Sequence, residues 1–163
     1  MEIESKVYLE SLGAYASASF IHARSALSTP FDVEVRFHHE DADLDVTALL
    51  FTGAVAFITN EVRGTSRLYH GIIEEAEYLQ PTHLGHVYRL RLRPRIHELA
   101  YRVRTRIFQN LSTVEIVQTV LQDAGIPADA CNWDLTNTYA TREYCTQWNE
   151  PELAFVSRLL EDE

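Results

Sequence analysis

Two runs of alternating arginines are the strongest candidates for chemistry in this sequence. The first run alternates with Leu90 and Leu92, and the second alternates with Val103 and leads to Ile107. Because successive side chains of a strand point to opposite faces, each run would place three guanidinium groups on one face. Such a row can track phosphates or pair with carboxylates of a neighbouring strand or subunit. The arginines are Arg89, Arg91, Arg93, Arg102, Arg104 and Arg106.

We favour protein–protein contact over nucleic-acid binding as the role of these arginines. The first run lacks the interleaved exposed aromatic side chains on which bases stack, and acidic residues nearby offer ready partners. The formal net charge of −10 also argues against a nucleic-acid partner, although half of the 14 basic residues lie between Arg89 and Arg106. We therefore interpret the six arginines as the polar face of a sheet or as candidate subunit-interface residues.

The densest set of possible metal ligands starts at His38 and ends at Asp45. Its Asp-x-Asp-x-Asp spacing imitates the start of a calcium loop, but Val46 replaces the required glycine and Thr52 the required glutamate. The adjacent His38 and His39 would point to opposite sides of an extended chain, which prevents joint chelation. The sequence predicts a solvated acidic loop and no metal.

Residues that could support catalysis do not form a recognisable set. The sequence contains neither a Gly-x-Ser-x-Gly motif nor a glycine-rich phosphate loop. Its two cysteines, Cys131 and Cys145, form no Cys-x-x-Cys motif, and Cys145 alternates as a buried strand residue would. We expect reduced thiols, no cofactor and no enzymatic activity.

Length and composition indicate a folded chain. It has 163 residues, of which 46% are hydrophobic, enough to build a real core. The start has neither the basic nor the apolar segment of a secretory signal, and no apolar run approaches about 18 residues. We expect no signal peptide and no membrane span.

The first hundred residues show the alternation of antiparallel strands. Phe31 to Phe37 is a half-buried strand, and a strand at Val55 to Thr59 and one at Leu68 to Tyr78 follow the short helical turn at Val46 to Leu50. Gly71 is interpreted as a bulge or bend in the third of these strands, and Asn60 to Ser66 as a turn. Residues 13–18 are too poor in large apolar groups to predict a packed helix. These features predict a compact antiparallel barrel or sandwich.

Two helices follow the second arginine run. Ser112 with Glu115 forms a capping-box pattern at the start of the first helix, and Gly125 ends it. Asn149 is predicted to cap the second helix, which ends on three acids that are unfavourable there. From this uncapped end we expect the chain to be a fragment that stops near a domain junction. The predicted helices span residues 112–124 and 150–162.

The order of several segments resembles the N-terminal hub region of the VgrG family, the spike proteins of type VI secretion systems. The resemblance implies a mainly β, α+β fold: a tube-like antiparallel barrel in residues 1–100, then a truncated second hub domain with two capped helices in residues 101–163. It implies a structural homotrimer that sits on a hexameric inner-tube protein, contacts baseplate proteins and carries effectors or adaptors. Such a protein would occupy the bacterial cytoplasm before firing and then be secreted through the contractile apparatus. The segments are Leu27-Ser-Thr-Pro-Phe-Asp-Val, Tyr69-His-Gly-Ile-Ile, Tyr88-Arg-Leu-Arg-Leu-Arg-Pro, Arg106-Ile-Phe-Gln-Asn-Leu-Ser, Arg142-Glu-Tyr-Cys-Thr-Gln-Trp and Leu153-Ala-Phe-Val-Ser-Arg-Leu-Leu.

Two alternatives to the secretion spike stay open. A phage or phage-like contractile tail hub shares this region, and downstream valine-glycine repeats would favour the secretion spike. A small-ligand-binding barrel would need an interior cavity, so its inward side chains would not fill the barrel. The predicted inward residues are Val33, Val35, Phe57, Leu90 and Leu92.

Overall fold

A computed structural model describes residues 3–60 and 64–163. The chain divides into two compact units, Met1–Pro94 and Arg95–Glu163. The predicted turn at residues 60–66 includes positions 61–63, which lie outside the described residues. Among the described residues, none of the helices has the length and hydrophobicity needed to cross a membrane.

The first unit is a closed, six-stranded antiparallel barrel with the strand order β1-β2-β3-β6-β5-β4. One short helix, α1 (Val46–Leu49), inserts between β3 and β4 in the sequence, as predicted, and Asp45 caps it. The mainly β, antiparallel fold predicted from the sequence is thus confirmed. The strands are β1 (Ile3–Leu9), β2 (Ala14–Ala26), β3 (Thr29–His39), β4 (Gly53–Asn60), β5 (Thr65–Thr82) and β6 (Gly85–Arg93).

The alternation of apolar residues correctly identified the inward faces of β3 and β6. Val33 pairs with Leu92 and Val35 with Leu90, and all four side chains are fully buried. Phe57 was assigned to the wrong face, because Ala54 and Ala56 of β4 point inward. The outward Phe57 ring packs instead against the Tyr15 ring, with 5.8 Å between their centroids. Both faces of β4 are apolar, so alternation alone does not determine which face is buried.

Two long strands, β2 and β5, form the corners of the barrel. β2 pairs first with β1 and then with β3, and β5 leaves β4 and joins β6 at Ile72. The small residues near the start of β2 therefore belong to a strand, with Ala16 and Ala18 packed on the core.

Of the two roles predicted for Gly71, the bulge is wrong, because the register shifts of β5 lie between Ile73 and Glu75 and between Tyr78 and Gln80. The other, a bend, fits the place where β5 leaves β4 and joins β6. Gly71 itself stays in register opposite Ala54. A Cβ atom at this position would collide with the backbone carbonyl oxygen of Arg93. Glycine is thus required at this corner, because only a residue without a Cβ atom lets the backbone of β5 lie this close to the backbone of β6 at Arg93.

The second unit packs helices on one face of a two-stranded antiparallel sheet. Its core joins residues of both strands and both helices, including the stacked rings of Phe108 and Phe155. The elements are a 3₁₀ helix (Arg95–Tyr101), β7 (Val103–Ser112), α2 (Thr113–Asp123), a 3₁₀ turn (Ala128–Ala130), β8 (Thr141–Pro151) and α3 (Glu152–Glu161).

The predicted start and stop of α2 are both present. The Glu115 carboxylate accepts a hydrogen bond from the Ser112 backbone N–H at 2.7 Å, and the Ser112 hydroxyl accepts one from the Glu115 backbone N–H at 3.4 Å. This is the capping box predicted from the sequence. Gly125 adopts a φ of 74° just after the helix, as a left-handed stop requires.

The predicted cap of α3 is wrong. Asn149 lies within β8, and its backbone N–H donates to the Thr105 hydroxyl at 3.0 Å. Because β8 stays paired with β7 as far as Pro151, the helix cannot begin until Glu152. Pro151 occupies the cap position and makes no side-chain cap hydrogen bond.

The acids that follow α3 have partners that the sequence did not reveal. Arg142 lies 3.4 Å from Asp162 and 3.1 Å from Glu163, and the Thr113 hydroxyl donates to Glu163 at 2.7 Å. These hydrogen bonds lower the pKa of Glu163, that from Thr113 contributing most. A neighbouring strand thus neutralises charges that would be unfavourable on an isolated helix.

Candidate interface residues

The three barrel arginines lie on the outer face of β6, opposite its buried apolar residues. Antiparallel pairing places Arg89 beside Glu77 of β5 and Arg91 beside Glu75. Arg89 Nε donates to Glu77 at 2.7 Å, and its terminal nitrogen donates to Glu75 at 3.3 Å. These are cross-strand pairs within a single chain.

Arg91 is the centre of this charged network. Its guanidinium group donates two hydrogen bonds of 2.9 Å to the two oxygens of Asp32 on β3. A third bond of 2.8 Å reaches Glu75 on β5. The hydrogen bonding by Arg91 lowers the pKa of Asp32, although partial burial of that carboxyl opposes the shift. The bidentate geometry ties three strands of the barrel wall together.

Arg93 completes the network at the end of β6. It lies 3.3 Å from Asp32 and 3.3 Å from Glu74. Each predicted barrel arginine therefore has a carboxylate partner in its own chain. This arrangement is the polar sheet face that the sequence also allowed, and an interface role for these residues stays a prediction.

The second set of arginines, on and just before β7, converges on one buried carboxylate. Glu152, the first residue of α3, has a side-chain exposure of 0%. Arg102 Nε donates to it at 2.6 Å, a terminal nitrogen of Arg106 donates at 2.9 Å, and Arg104 Nε lies at 3.2 Å. Sequence reasoning grouped the three arginines correctly but missed Glu152, which lies about fifty positions further along the chain.

Other groups help to satisfy this second arginine set. Arg106 also donates to the Gln147 side-chain oxygen at 2.9 Å and to Asp123 at 2.7 Å. Arg102 donates to the backbone carbonyl of Asp123 at the end of α2, at 2.9 Å. The cluster thus links the end of α2 and the start of α3 to the sheet, and Gln147 is fully buried beneath it.

Side chains of the acidic loop, residues 38–45, stabilise its backbone through local hydrogen bonds. Asp41 accepts a hydrogen bond from the Asp43 backbone N–H at 2.8 Å, and Asp45 accepts two from the first turn of α1. His39 Nδ1 accepts from the Asp41 N–H at 3.1 Å. Within the described residues, no group of three or more His, Cys, Asp or Glu side chains is arranged to hold a metal ion.

Exposed apolar side chains are the features that sequence reasoning missed. On the outer face of the β7–β8 sheet, Ile107, Tyr144 and Trp148 are exposed, Trp148 to 75%. Phe51, just before β4, is 65% exposed. The alternation of Tyr144 and Trp148 with the buried Cys145 agrees with their outward placement, whereas Phe51 lies in the turn between α1 and β4, outside any strand.

Comparison with known proteins identifies the family. Residues 24–163 match the family model of the phage tail baseplate hub. The chain belongs to the phage tail baseplate hub family. The match includes all of β3 to β6 of the barrel and the whole second unit, so the resemblance inferred from the sequence segments is confirmed.

Curated relatives of this hub chain are spike proteins of type VI secretion systems. It is 39% identical over 141 residues to VgrG5 of Pseudomonas aeruginosa, a match that covers 86% of this chain and 17% of that protein. It is 36% identical over 137 residues to VgrG4b of the same organism, covering 84% and 16%. The hub chain therefore spans about a sixth of the length of these relatives.

Solved structures share the fold over nearly the whole hub chain. The E. coli c3393 protein aligns with a TM-score of 0.71 and 24% identity, covering 98% of this chain and 39% of that chain. It is described as a component of the type VI secretion system, similar in structure to the T4 tail proteins gp27 and gp5. The 43 kDa tail protein of prophage MuSo2 from Shewanella oneidensis aligns with a TM-score of 0.61 and 13% identity, covering 99% and 48%.

Proposed function

We propose that this chain is a structural, non-catalytic hub component of a type VI secretion spike. The observation that carries the proposal is the 39% identity to a type VI spike protein over 86% of the chain. The extensive networks of paired charges on both units support a structural role, because they tie neighbouring elements of each unit together.

In this proposal the barrel unit, Met1–Pro94, is the tube-like domain predicted for residues 1–100, and Arg95–Glu163 begins the second hub domain predicted for residues 101–163. Three copies form a pseudo-sixfold ring that sits on the hexameric inner-tube protein. Baseplate proteins hold the ring before firing, in the bacterial cytoplasm, and effectors or adaptors leave with the spike through the contractile apparatus. The closed barrel supports this role, because each of its described strands pairs on both sides within the chain, which disfavours edge-to-edge pairing between barrels.

The proposal is tested by the mass of the purified chain in solution. Light scattering across a concentration series, with and without the cognate inner-tube protein, should give a trimer or a complex with the tube hexamer. A monomer that ignores the tube protein at every concentration would contradict docking by these residues.

We also propose that Arg89, Arg91, Arg93, Arg102, Arg104 and Arg106 lie at or near subunit contacts. Replacing Arg91 and Arg93 with glutamate should weaken assembly, because each substitution reverses the charge that the proposed contact presents to the neighbouring subunit. The same change also breaks the in-chain pairs with Asp32, so loss of assembly needs a control.

The matched control restores the in-chain pair with its charges exchanged, by combining Arg91→Glu with Asp32→Arg. The exchange leaves a carboxylate at position 91 beside Glu75 and a guanidinium at position 32 beside Arg93, so we expect a lower melting temperature with an unchanged circular-dichroism spectrum at 25 °C. If Arg91 acts at an interface, this folded variant should also lose mass in light scattering. Unchanged association of both variants would refute an interface role for Arg91.

A phage-like contractile tail hub is the second candidate, supported by the fold shared with the MuSo2 prophage tail protein. Genes that encode capsid proteins next to this one would favour the phage hub. A downstream segment with valine-glycine repeats would favour the secretion spike. The small-ligand barrel is less supported, because Val33, Val35, Leu90 and Leu92 join one buried cluster in the barrel interior.

A further inference from the structure

The β7–β8 sheet has two edges, and they differ in what covers them. A terminal nitrogen of Arg158 on α3 donates to the backbone carbonyl of Thr146 in β8 at 2.9 Å and to Glu150 at 2.7 Å. β8 also ends at Pro151, which has no backbone N–H to offer. The edge of β8 is therefore blocked, whereas no strand pairs with the other edge of β7 among the described residues.

The backbone of Ile107 opens onto this free edge. Ile107 is paired with Thr146, and the two residues of an antiparallel pair direct their N–H and C=O groups either both toward or both away from each other. Since the Thr146 carbonyl meets Arg158 at the outer edge of β8, the Ile107 groups also point away from the neighbouring strand. In the described part of the chain no other backbone group bonds to them. β7 thus offers this donor and this acceptor to an added strand.

The two faces of β7 beside this edge differ in chemistry. On the outer face, Val103 and Ile107 are 54% and 55% exposed. On the other face, the Arg104 side chain is 46% exposed, with its Nε 3.2 Å from Glu152. A strand added at about 4.8 Å from β7 places its alternate side chains beside these two surfaces. Apolar side chains suit the outer face, because they cover Val103 and Ile107.

The arginine face of this edge carries a surplus of positive charge. Within the described residues, three guanidinium groups contact only two carboxylates. The chain as a whole has a net charge of −10, so this face is a local exception. A carboxylate on the added strand compensates the surplus charge at Arg104. The guanidinium groups are those of Arg102, Arg104 and Arg106, and the carboxylates are those of Glu152 and Asp123.

We infer that the free edge of β7 binds an extended segment of another protein in which apolar and acidic side chains alternate. Main-chain hydrogen bonds at Ile107 hold the segment, and its alternating side chains make the binding specific. A second copy of the chain does not suit this edge. The described strands of its barrel are paired on both sides and its β8 edge is blocked, while β7 against β7 sets arginines against arginines. Such binding goes beyond the hub role and does not need the trimer.

Peptide binding tests this recognition directly. The probes are two fluorescein-labelled peptides of about six residues, the usual strand length, one alternating valine with glutamate and the other valine with lysine. Fluorescence anisotropy should show the glutamate peptide binding about tenfold more tightly than the lysine peptide. Attraction to the net charge of −10 alone favours the lysine peptide, so the opposite preference separates recognition at β7 from non-specific binding.

Paired variants locate the binding surface. Arg104→Glu should abolish the preference for the glutamate peptide, whereas Arg36→Glu, at a barrel arginine of matched exposure, should keep it. Ile107→Pro removes the N–H at the free edge without removing a β7–β8 hydrogen bond, so it should weaken binding of the glutamate peptide about tenfold. Ile107→Thr keeps this N–H and should bind the peptide more tightly than Ile107→Pro. Circular dichroism and tryptophan fluorescence check that each variant is folded.

Hydrogen exchange of the unaltered chain gives a readout that does not depend on the folding of any variant. The glutamate peptide should slow exchange of the Ile107 amide, measured by NMR. Absent binding of the glutamate peptide, equal or tighter binding of the lysine peptide, or protection that spares β7 overturns the inference. Slow exchange at Ile107 without peptide also overturns it, because another segment or a second copy then already covers the edge. These results do not bear on trimer assembly, which light scattering measures separately.

Discussion

Replacement of Glu152 by glutamine tests the central polar cluster of the second unit. The Glu152 carboxylate is fully buried and faces Arg102, Arg104 and Arg106 at 2.6 to 3.2 Å. Glutamine has nearly the same shape but no charge, so the variant leaves three guanidinium groups without their shared carboxylate. The expected result is a lower free energy of unfolding of the second unit.

The size of this loss follows from the exposure of the arginines. Breaking a buried ion pair by neutralising one partner costs about 3–5 kcal/mol. Arg102 and Arg104 are 30% and 46% exposed, so water partly replaces the lost carboxylate, and Arg106 keeps its contact with Asp123. We therefore expect a loss of about 2–3 kcal/mol, below the buried-pair value.

Tryptophan fluorescence measures this effect selectively during urea unfolding. Both tryptophans of the chain, Trp133 and Trp148, lie in the second unit, so their signal reports on that unit. The control is Glu150→Gln, since the Glu150 side chain is 23% exposed, against 0% for Glu152, and pairs with the 46% exposed Arg158 at 2.7 Å, so its loss should cost at most about 1 kcal/mol. Equal losses for the two variants, or a loss below about 0.5 kcal/mol for Glu152→Gln, would refute the reasoning.

Three further predictions concern the barrel, the helix cap and acid stability. Gly71→Ala should destabilise the barrel by about 1–3 kcal/mol, because its Cβ meets a backbone oxygen at the corner, and an unchanged circular-dichroism melt would contradict this. Ser112→Ala should cost about 1 kcal/mol through loss of the capping box, read from tryptophan fluorescence, and no loss would show that the box does not stabilise α2. The pKa of Asp32 is lower in the folded chain, so its contribution is complete above its unfolded pKa of about 4 and is lost as pH falls through the folded value. Urea unfolding from pH 6 to 2 should therefore show the difference between wild type and Asp32→Asn shrinking below about pH 4, whereas a constant difference would contradict this assignment.

Local chemistry made several elements predictable from the sequence. Alternation identified the buried faces of β3 and β6, because one face of each strand is apolar and the other is charged. The capping box at Ser112 and the glycine at position 125 determined the ends of α2 through groups that are close in sequence. The order of several segments along the chain, not any catalytic motif, carried the resemblance to the VgrG hub.

The partners of the candidate residues could not be read from the sequence, because they depend on which strands become neighbours. Alternation predicted that the arginines share a face, but the pairing of β6 with both β3 and β5 brings Asp32 and Glu75 to Arg91. The start of α3 at Glu152 likewise follows from the β7–β8 ladder, which holds Asn149 in a strand.

The sequence by itself determined the antiparallel character of the chain, the positions of most strands and the capping of α2, since these depend on side-chain alternation and on contacts within a few residues. The tertiary structure alone decided that Phe57 points outward, that Gly71 admits a neighbouring carbonyl, and that Glu152 is buried beneath three arginines. Each of these depends on residues far apart in sequence meeting at short distance, where sterics and desolvation fix the outcome.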